Sequence, residues 1–200
     1  MIKKLLLISA LFAGSALLTA NATPVLSFTP SSQSVTLGNT VSVSAVLSGL
    51  ETGGLDEILS AFDISVSYDS SVLNAVSLTY NTLPFGDLPV INTTFLIGEI
   101  QWNLTSIETD AFLQTVQGDS LTLGTITFST LSAGASALNF SYSDLTGLNS
   151  LALDHSIANG NITVTTQNGS VPEPATMLLM GLGALGMAGA KRRRDKLDAV

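Results

Sequence analysis

Between residues 23 and 171 the sequence contains no lysine, no arginine and no cysteine. All seven basic residues lie within the first four or the last ten positions, and three of the fifteen acidic residues lie beyond residue 171. The middle segment therefore carries twelve carboxylates and no lysine or arginine to balance them. Nucleic acid and anionic membrane surfaces are disfavoured as its partners, because like charges repel. Without cysteine there are no disulfides, so the fold must depend on its core.

Groups that perform catalysis are also scarce. His155 is the single histidine, and adjacent Asp154 would point to the opposite face of a strand, so the two do not form a relay. No Gly-x-Ser-x-Gly element is present. Two pairs of neighbouring carboxylates occur, Asp56 with Glu57 and Glu108 with Asp110. One tryptophan and three tyrosines supply few aromatic side chains for a glycosidase cleft. We therefore expect that the protein is not an enzyme.

The sequence indicates no resident cofactor. The histidine and cysteine ligands of a zinc site are missing, and so is the Asp-x-Asp-x-Asp-Gly loop of a strong calcium site. Asp144 or Asp154, together with loop carbonyl oxygens, could bind Ca²⁺ weakly. Otherwise the carboxylates are typical of a solvated acidic surface.

The N-terminus has the three parts of a secretory signal peptide. Lys3 and Lys4 form the positive region, residues 5–18 are almost entirely apolar, and Ala20-Asn21-Ala22 has the small-x-small pattern of a cleavage site. We predict that residues 1–22 are removed by a cut before Thr23.

The C-terminus predicts a second targeting segment. Residues 175–190 are uncharged, and as a helix they would span about 24 Å, close to the ~30 Å hydrocarbon core once flanking residues contribute. A basic cluster follows the apolar run, and by the positive-inside rule it would hold that end on the cytoplasmic side. The cluster consists of Lys191, Arg192, Arg193 and Arg194. The sequence thus predicts a transmembrane helix at 175–190.

Residues 171–194 as a whole resemble the PEP-CTERM sorting signal of Gram-negative bacteria. That signal combines a Val-Pro-Glu-Pro element, an apolar helix and an arginine cluster. The first element stands here as Val171, Pro172, Glu173 and Pro174. The resemblance implies processing near this element by an exosortase at the inner membrane, in a producer of exopolysaccharide or biofilm matrix.

Residues 23–168 show the alternation of apolar and polar side chains that is typical of half-buried β-strands. The alternating stretches cover residues 41–47, 62–68, 125–129, 138–141 and 161–165. Glycine- and asparagine-rich turns separate them, as at Gly38-Asn39 and Asn159-Gly160. The pattern predicts an all-β, antiparallel β-sandwich. Residues 106–117 fit either a short helix or an acidic loop.

The same segment resembles cohesin-like domains. Those domains carry a Tyr-Asp-Pro-x-x-Leu turn, which reads here as Tyr68-Asp69-Ser70-Ser71-Val72-Leu73, with serine in place of proline. Residues 123–128 and 159–164 are similar to late strands of the family, in the same order. The resemblance covers about residues 25–165 and implies a jelly-roll sandwich of about nine strands. In the turn itself, Asp69 is expected to act structurally by capping it.

Trp102 leaves two interpretations open. It alternates with Gln101 and Asn103 on a predicted strand, where the single tryptophan is either a core residue or an exposed platform for a sugar ring.

Taken together, the two targeting segments, the cohesin-like pattern and the scarcity of catalytic groups predict a non-enzymatic exported protein of the cell surface or extracellular matrix. It would act by adhesion or by protein interaction with a matrix or surface protein. The alternative is a carbohydrate-binding module that recognises exopolysaccharide through Trp102.

Overall fold

The computed structural model describes residues 23–50 and 57–167. They form eleven strands, one α-helix and two short 3₁₀ turns at Leu83–Phe85 and Leu148–Ser150. The strands are β1 (Val25–Thr29), β2 (Ser32–Thr36), β3 (Thr40–Ser48), β4 (Ala61–Ser67), β5 (Leu73–Tyr80), β6 (Val90–Leu96), β7 (Glu99–Thr105), β8 (Ser120–Thr130), β9 (Gly134–Thr146), β10 (Ser156–Ala158) and β11 (Gly160–Thr165). The helix α1 spans Asp110–Val116.

Two sheets make up the sandwich. The five-stranded sheet has the order β10-β1-β3-β8-β5, and the six-stranded sheet has the order β2-β11-β9-β4-β7-β6. The β-sandwich prediction is confirmed, but the described residues form eleven strands where about nine were predicted, and two of the strand pairs are parallel. Among the described strands, β1 pairs with β10 and β2 pairs with β11 in parallel. Neither β2 nor β10 contains a buried residue, so no apolar alternation marks them in the sequence.

The predicted alternation defines the core. Val41, Val43, Ala45 and Leu47 of β3 all point inward and are buried, as the period of two requires. Aromatic pairs link different parts of the core, and the rings of Phe28 and Phe140 stack with centroids 4.2 Å apart. This shared burial of both inner faces is what holds the sandwich together in the absence of disulfides.

The segment 106–117, for which the sequence left two interpretations, contains both a loop and a helix. Thr109 caps α1 by accepting a hydrogen bond from the backbone N–H of Phe112. Gln117, just after the helix, exchanges hydrogen bonds of 2.8 and 2.7 Å with the backbone of Leu59, and it also donates to the carbonyl of Pro84. The Gln117 side chain therefore links the segment after α1 to the segments at Leu59 and Pro84 at this end of the sandwich.

Both targeting segments lie outside the described residues. The signal peptide at 1–22 and the transmembrane helix at 175–190 remain predictions, as do the domain boundaries drawn from them. Within the part of the chain that the structure describes, no helix is long and apolar enough to cross a bilayer. The compact unit that the strands build ends at Thr165.

Gly124 of β8 gives a test of the packing around Trp102. A Cβ at this position would lie 3.1 Å from Leu78 Cδ1, 3.4 Å from the Thr79 carbonyl oxygen and 3.5 Å from Trp102 Nε1. We expect Gly124→Val to lower the free energy of unfolding by about 1–3 kcal/mol, because its extra methyl groups overpack this site. Urea unfolding followed by the fluorescence of the single tryptophan measures the change. Gly118→Val is the matched control, since a Cβ at Gly118 meets nothing within 4 Å. Equal losses from both substitutions would contradict the packing argument.

Candidate functional site

Four strands of the six-stranded sheet, β9, β4, β7 and β6, turn mostly polar side chains outward. Their registered residues form four rows across the sheet, which we call the polar face: Thr146, Ala61, Thr105 and Val90; Asp144, Asp63, Asn103 and Asn92; Tyr142, Ser65, Gln101 and Thr94; Asn139, Ser67, Glu99 and Leu96. The side chains between these rows point inward and belong mainly to the core. The pleat of the strands thus separates a polar outer surface from an apolar inner one.

Two carboxylates face each other in the second row. Asp63 of β4 is registered directly opposite Asp144 of β9, and both side chains are exposed. Cβ atoms of such cross-strand pairs lie about 4.5–5.5 Å apart, a distance at which like charges destabilise a sheet. No lysine or arginine exists between residues 23 and 171 to offset this repulsion. The pair is therefore a local concentration of negative charge that a cationic group would relieve.

Neutral amides continue the same row. Asn92 of β6 donates a hydrogen bond of 3.1 Å to the side-chain oxygen of Asn103 on β7, and Asn103 is registered beside Asp63. In the last row, Glu99 accepts hydrogen bonds from Ser141 and Gln101 at 3.2 and 3.4 Å. Glu99, the third acid of the polar face, is thus stabilised by hydrogen bonds from neutral side chains.

The turn after β4 confirms the structural role predicted for Asp69. One carboxylate oxygen of Asp69 accepts hydrogen bonds from the Ser71 hydroxyl at 2.6 Å and the Ser71 backbone N–H at 2.9 Å. These bonds, the hydroxyl first, hold the pKa of Asp69 below its usual value. The Asp69 backbone N–H donates to Ser136 Oγ, and Ser136 is fully buried in β9. The turn is therefore tied to the strand beneath it.

Trp102 does not form a sugar platform, which corrects the candidate glycan contact. Its side chain is only 1% exposed, because β7 directs it inward between Ile100 and Leu104. Stacking on a sugar ring needs a free indole face, and here both faces lie in the core. The carbohydrate-binding alternative thereby loses the residue on which it depended.

Three of the other residues considered for chemistry form hydrogen bonds within the fold, namely His155, Asp110 and Glu108. His155 Nε2 lies 2.8 Å from Ser143 Oγ, while Nδ1 lies 3.0 Å from the carbonyl oxygen of Leu153. The imidazole therefore joins the segment before β10 to β9. Asp110 accepts a hydrogen bond of 3.0 Å from the backbone N–H of Asn149, and the backbone N–H of Glu108 donates to Ser106.

Metal ligands do not gather in the described ranges 23–50 and 57–167. No group of three or more histidine, aspartate or glutamate side chains lies close enough there to hold an ion. Asp144 meets one other carboxylate, that of Asp63, in the register of the sheet. The weak Ca²⁺ site considered for Asp144 or Asp154 therefore receives no support from this geometry.

The fold defines the domain as a cohesin-like β-sandwich. CaCohA2 from Clostridium acetobutylicum is 26% identical, with a TM-score of 0.57 over 76% of this chain and 95% of that one. The OlpA cohesin of Clostridium thermocellum, solved in a type I complex with the dockerin Doc918, is 14% identical, with a TM-score of 0.59 over 72% and 100%. A non-cellulosomal cohesin from the archaeon Archaeoglobus fulgidus is 12% identical, with a TM-score of 0.54 over 73% and 92%.

The C-terminal resemblance is confirmed by a family model. Residues 170–194 match the PEP-CTERM protein-sorting motif, one residue longer than the segment predicted from the sequence. The match includes the Pro172-Glu173-Pro174 element and the basic cluster that ends at Arg194. Comparison with curated protein sequences gives no match. The chain therefore combines a cohesin-like fold with a PEP-CTERM sorting motif.

The sequence did not predict that Asp63 and Asp144 are cross-strand neighbours on the polar face. It presents Asp144 as a candidate cation ligand and Asp63 as the polar member of an alternating strand, without placing them together. Eighty residues separate the two, and a register shift between Ser65 and Val66 interrupts the pairing of β4 with β9. The alternation around Asp63 and Asn103 does show that both point outward. Their cross-strand neighbours follow only from the register.

The pH dependence of stability tests the Asp69 turn. Since the folded pKa of Asp69 is lowered, its charge adds stability above the unfolded value of about 3.8, and this contribution disappears as the pH falls through the folded pKa. We expect Asp69→Asn to lower the urea midpoint at pH 7, with a difference from the unchanged chain that shrinks below pH 4. In a chain that also carries Ser71→Ala, which removes the hydroxyl donor, the effect of Asp69→Asn on the urea midpoint should depend less on pH. A difference that stays constant from pH 7 to pH 3 would exclude this role.

Proposed function

We propose that this chain is a non-enzymatic, exported interaction protein that acts at the cell surface or in the extracellular matrix. An exosortase processes it near Pro172-Glu173-Pro174, and the cohesin-like domain then binds a cationic polypeptide through its polar face. Adhesion of the matrix or the surface is the outcome of that binding. The PEP-CTERM motif supports the first step, and the charge of the domain supports the second.

The observation that carries the binding proposal is the registered pair of Asp63 and Asp144. Like charges directly opposite each other destabilise a sheet, and a lysine or arginine from a partner would offset the charge of this pair. Asn92 and Asn103 beside them offer amide groups that can hydrogen-bond to a peptide backbone. Dockerin partners in similar solved structures show that this fold is used for protein recognition, which supports a polypeptide partner here.

The sorting motif also changes the charge of the product. Five of the seven basic residues follow Pro174, and the other two lie in the predicted signal peptide. Processing at both ends would therefore release a domain without lysine or arginine. Such a domain repels its own kind at long range and attracts basic surfaces, with rates that depend on ionic strength.

Charge neutralisation tests the binding face. We expect Asp63→Asn with Asp144→Asn to weaken binding of a fluorescent oligolysine peptide by about tenfold at low salt, because two carboxylates on the polar face lose their charge. The matched control is Asp87→Asn with Asp154→Asn, which removes two exposed charges elsewhere. Fluorescence anisotropy with the full chain in detergent measures both affinities. If the control pair of substitutions weakens binding as much as Asp63→Asn with Asp144→Asn, the net charge of the domain drives binding and the polar face is not the site.

Two epitope tags test the sorting step, one placed before Thr23 and one after Val200. In the producing cell we expect the N-terminal tag in the surface or matrix fraction, separated from the C-terminal tag. Replacing Glu173 and Pro174 by alanine should keep both tags together in the membrane fraction, whereas Asn168→Ala should leave the separation unchanged. Finding the unaltered, intact chain in the cytoplasm would overturn the proposal.

A further inference from the structure

The strand β6 has one pairing partner within the described residues. It lies at the end of the six-stranded sheet, and its register with β7 runs from Val90 to Leu96 without a shift. Natural edge strands are usually protected by lysine, proline, a bulge or short length. The seven residues of β6 contain no charge and no proline, so their free backbone N–H and C=O groups are open to a further strand.

Exposed apolar side chains concentrate along the same edge. Six of the fifteen large hydrophobic side chains that are exposed in the described structure lie between residues 83 and 97. Phe95 points toward the inner face of the sheet yet remains 47% exposed, because the facing sheet ends at β5 and leaves an open groove of about 310 Å³. Tyr68, Asn74 and Ile97 also line this groove. Apolar surface concentrated on an unpaired edge is typical of an association site.

The order of residues in β6 is symmetric in polarity. Its sequence, Val-Ile-Asn-Thr-Thr-Phe-Leu, places two apolar residues at each end and three polar residues in the middle. Reversal about the central Thr93 brings Val90 opposite Leu96, Ile91 opposite Phe95, and Asn92 opposite Thr94. Each apolar residue then meets an apolar one, and each polar residue meets a polar one. An interface with two-fold symmetry requires this kind of self-complementarity.

The symmetric register also satisfies the geometry of a sheet. Each residue is paired with one an even number of positions away, so paired side chains point to the same face and backbone groups of the same orientation meet. Shifting the centre to Asn92 or Thr94 would place an apolar end residue against a polar one. The absence of charge means that the pairing desolvates no carboxylate.

We propose that β6 pairs antiparallel with β6 of a second copy of this chain, about a two-fold axis at Thr93. The two six-stranded sheets then continue into one, and both polar faces lie on the same side of it. If the polar face binds cationic polypeptides as proposed above, the dimer presents two such sites to one extended partner, which raises the apparent affinity without new contacts. Net negative charge on each domain opposes this pairing, so dimerisation strengthens with salt.

Because the chain has no native cysteine, single cysteines report the register directly. One copy carries Asn92→Cys, another carries Thr94→Cys, and the two are co-expressed in the producing cell with different tags before Thr23. We expect a disulfide-linked heterodimer at a yield at least about fivefold above that of either variant alone, since only the mixed pair is directly opposed. Val76→Cys on β5, the free edge of the other sheet, is the control and should not cross-link. Equal yields for mixed and control pairs would overturn the proposal.

A charged substitution and a salt series complete the test. Leu96→Glu should weaken dimerisation by about tenfold, because it replaces the apolar contact with Val90 of the second copy and adds a negative charge at each end of the seam between two acidic domains. Val76→Glu places the same charge on an exposed β5 position and should have no effect. With the full chain in excess detergent micelles, cross-linking should rise between low and high salt, whereas oligolysine binding should fall. Cross-linking that falls with salt, or Leu96→Glu without effect, would exclude the β6 dimer and leave the binding face to be judged by its own test.

Discussion

Because residues 23–171 contain no lysine or arginine, the carboxylates of this domain have no permanently charged side chain within it to pair with. Two carboxylates are stabilised by neutral donors within the domain. Asp69 accepts hydrogen bonds from the hydroxyl and the backbone N–H of Ser71, and Asp110 accepts one from the backbone N–H of Asn149. Asp63 and Asp144 instead face each other across two strands. This like-charged pair lies on the outer face of the six-stranded sheet, where a cationic group from outside the domain can offset its charge.

The remainder of the fold is adapted to the same constraint. On the outer side of the five-stranded sheet, Ser42 and Thr127 share a hydrogen bond of 3.0 Å, and Ser44 and Thr125 share one of 2.8 Å. Neutral cross-strand pairs of this kind stabilise a sheet, as pairs of opposite charge do. These hydrogen bonds favour the native strand register without charged groups. The stability of the fold therefore depends on the apolar core rather than on surface ion pairs.

The proposed export, binding and self-association are connected through this charge distribution. Four of the seven basic residues lie in the sorting motif, and the processing proposed above would leave a domain whose polar face carries negative charge without lysine or arginine. We propose that two copies approach at the uncharged edge strand β6, and the paired carboxylates of Asp63 and Asp144 lie on strands farther from that edge. We expect ionic strength to act in opposite directions on the two proposed associations, favouring the dimer and weakening the binding of a cationic partner.

The sequence by itself determined the β-sandwich, the inward residues of strands such as β3, the Asp69 turn and the sorting motif, because these depend on local periodicity or on contiguous residues. Tertiary structure alone decided that Trp102 is buried, that β2 and β10 complete the sheets in parallel, and that Asp63 meets Asp144 across eighty residues. Trp102 required knowledge of which sheet covers β7, and the acidic pair required the register of β4 with β9. Long-range pairing depends on how the inner faces of both sheets fill one core, and no short window of sequence contains that information.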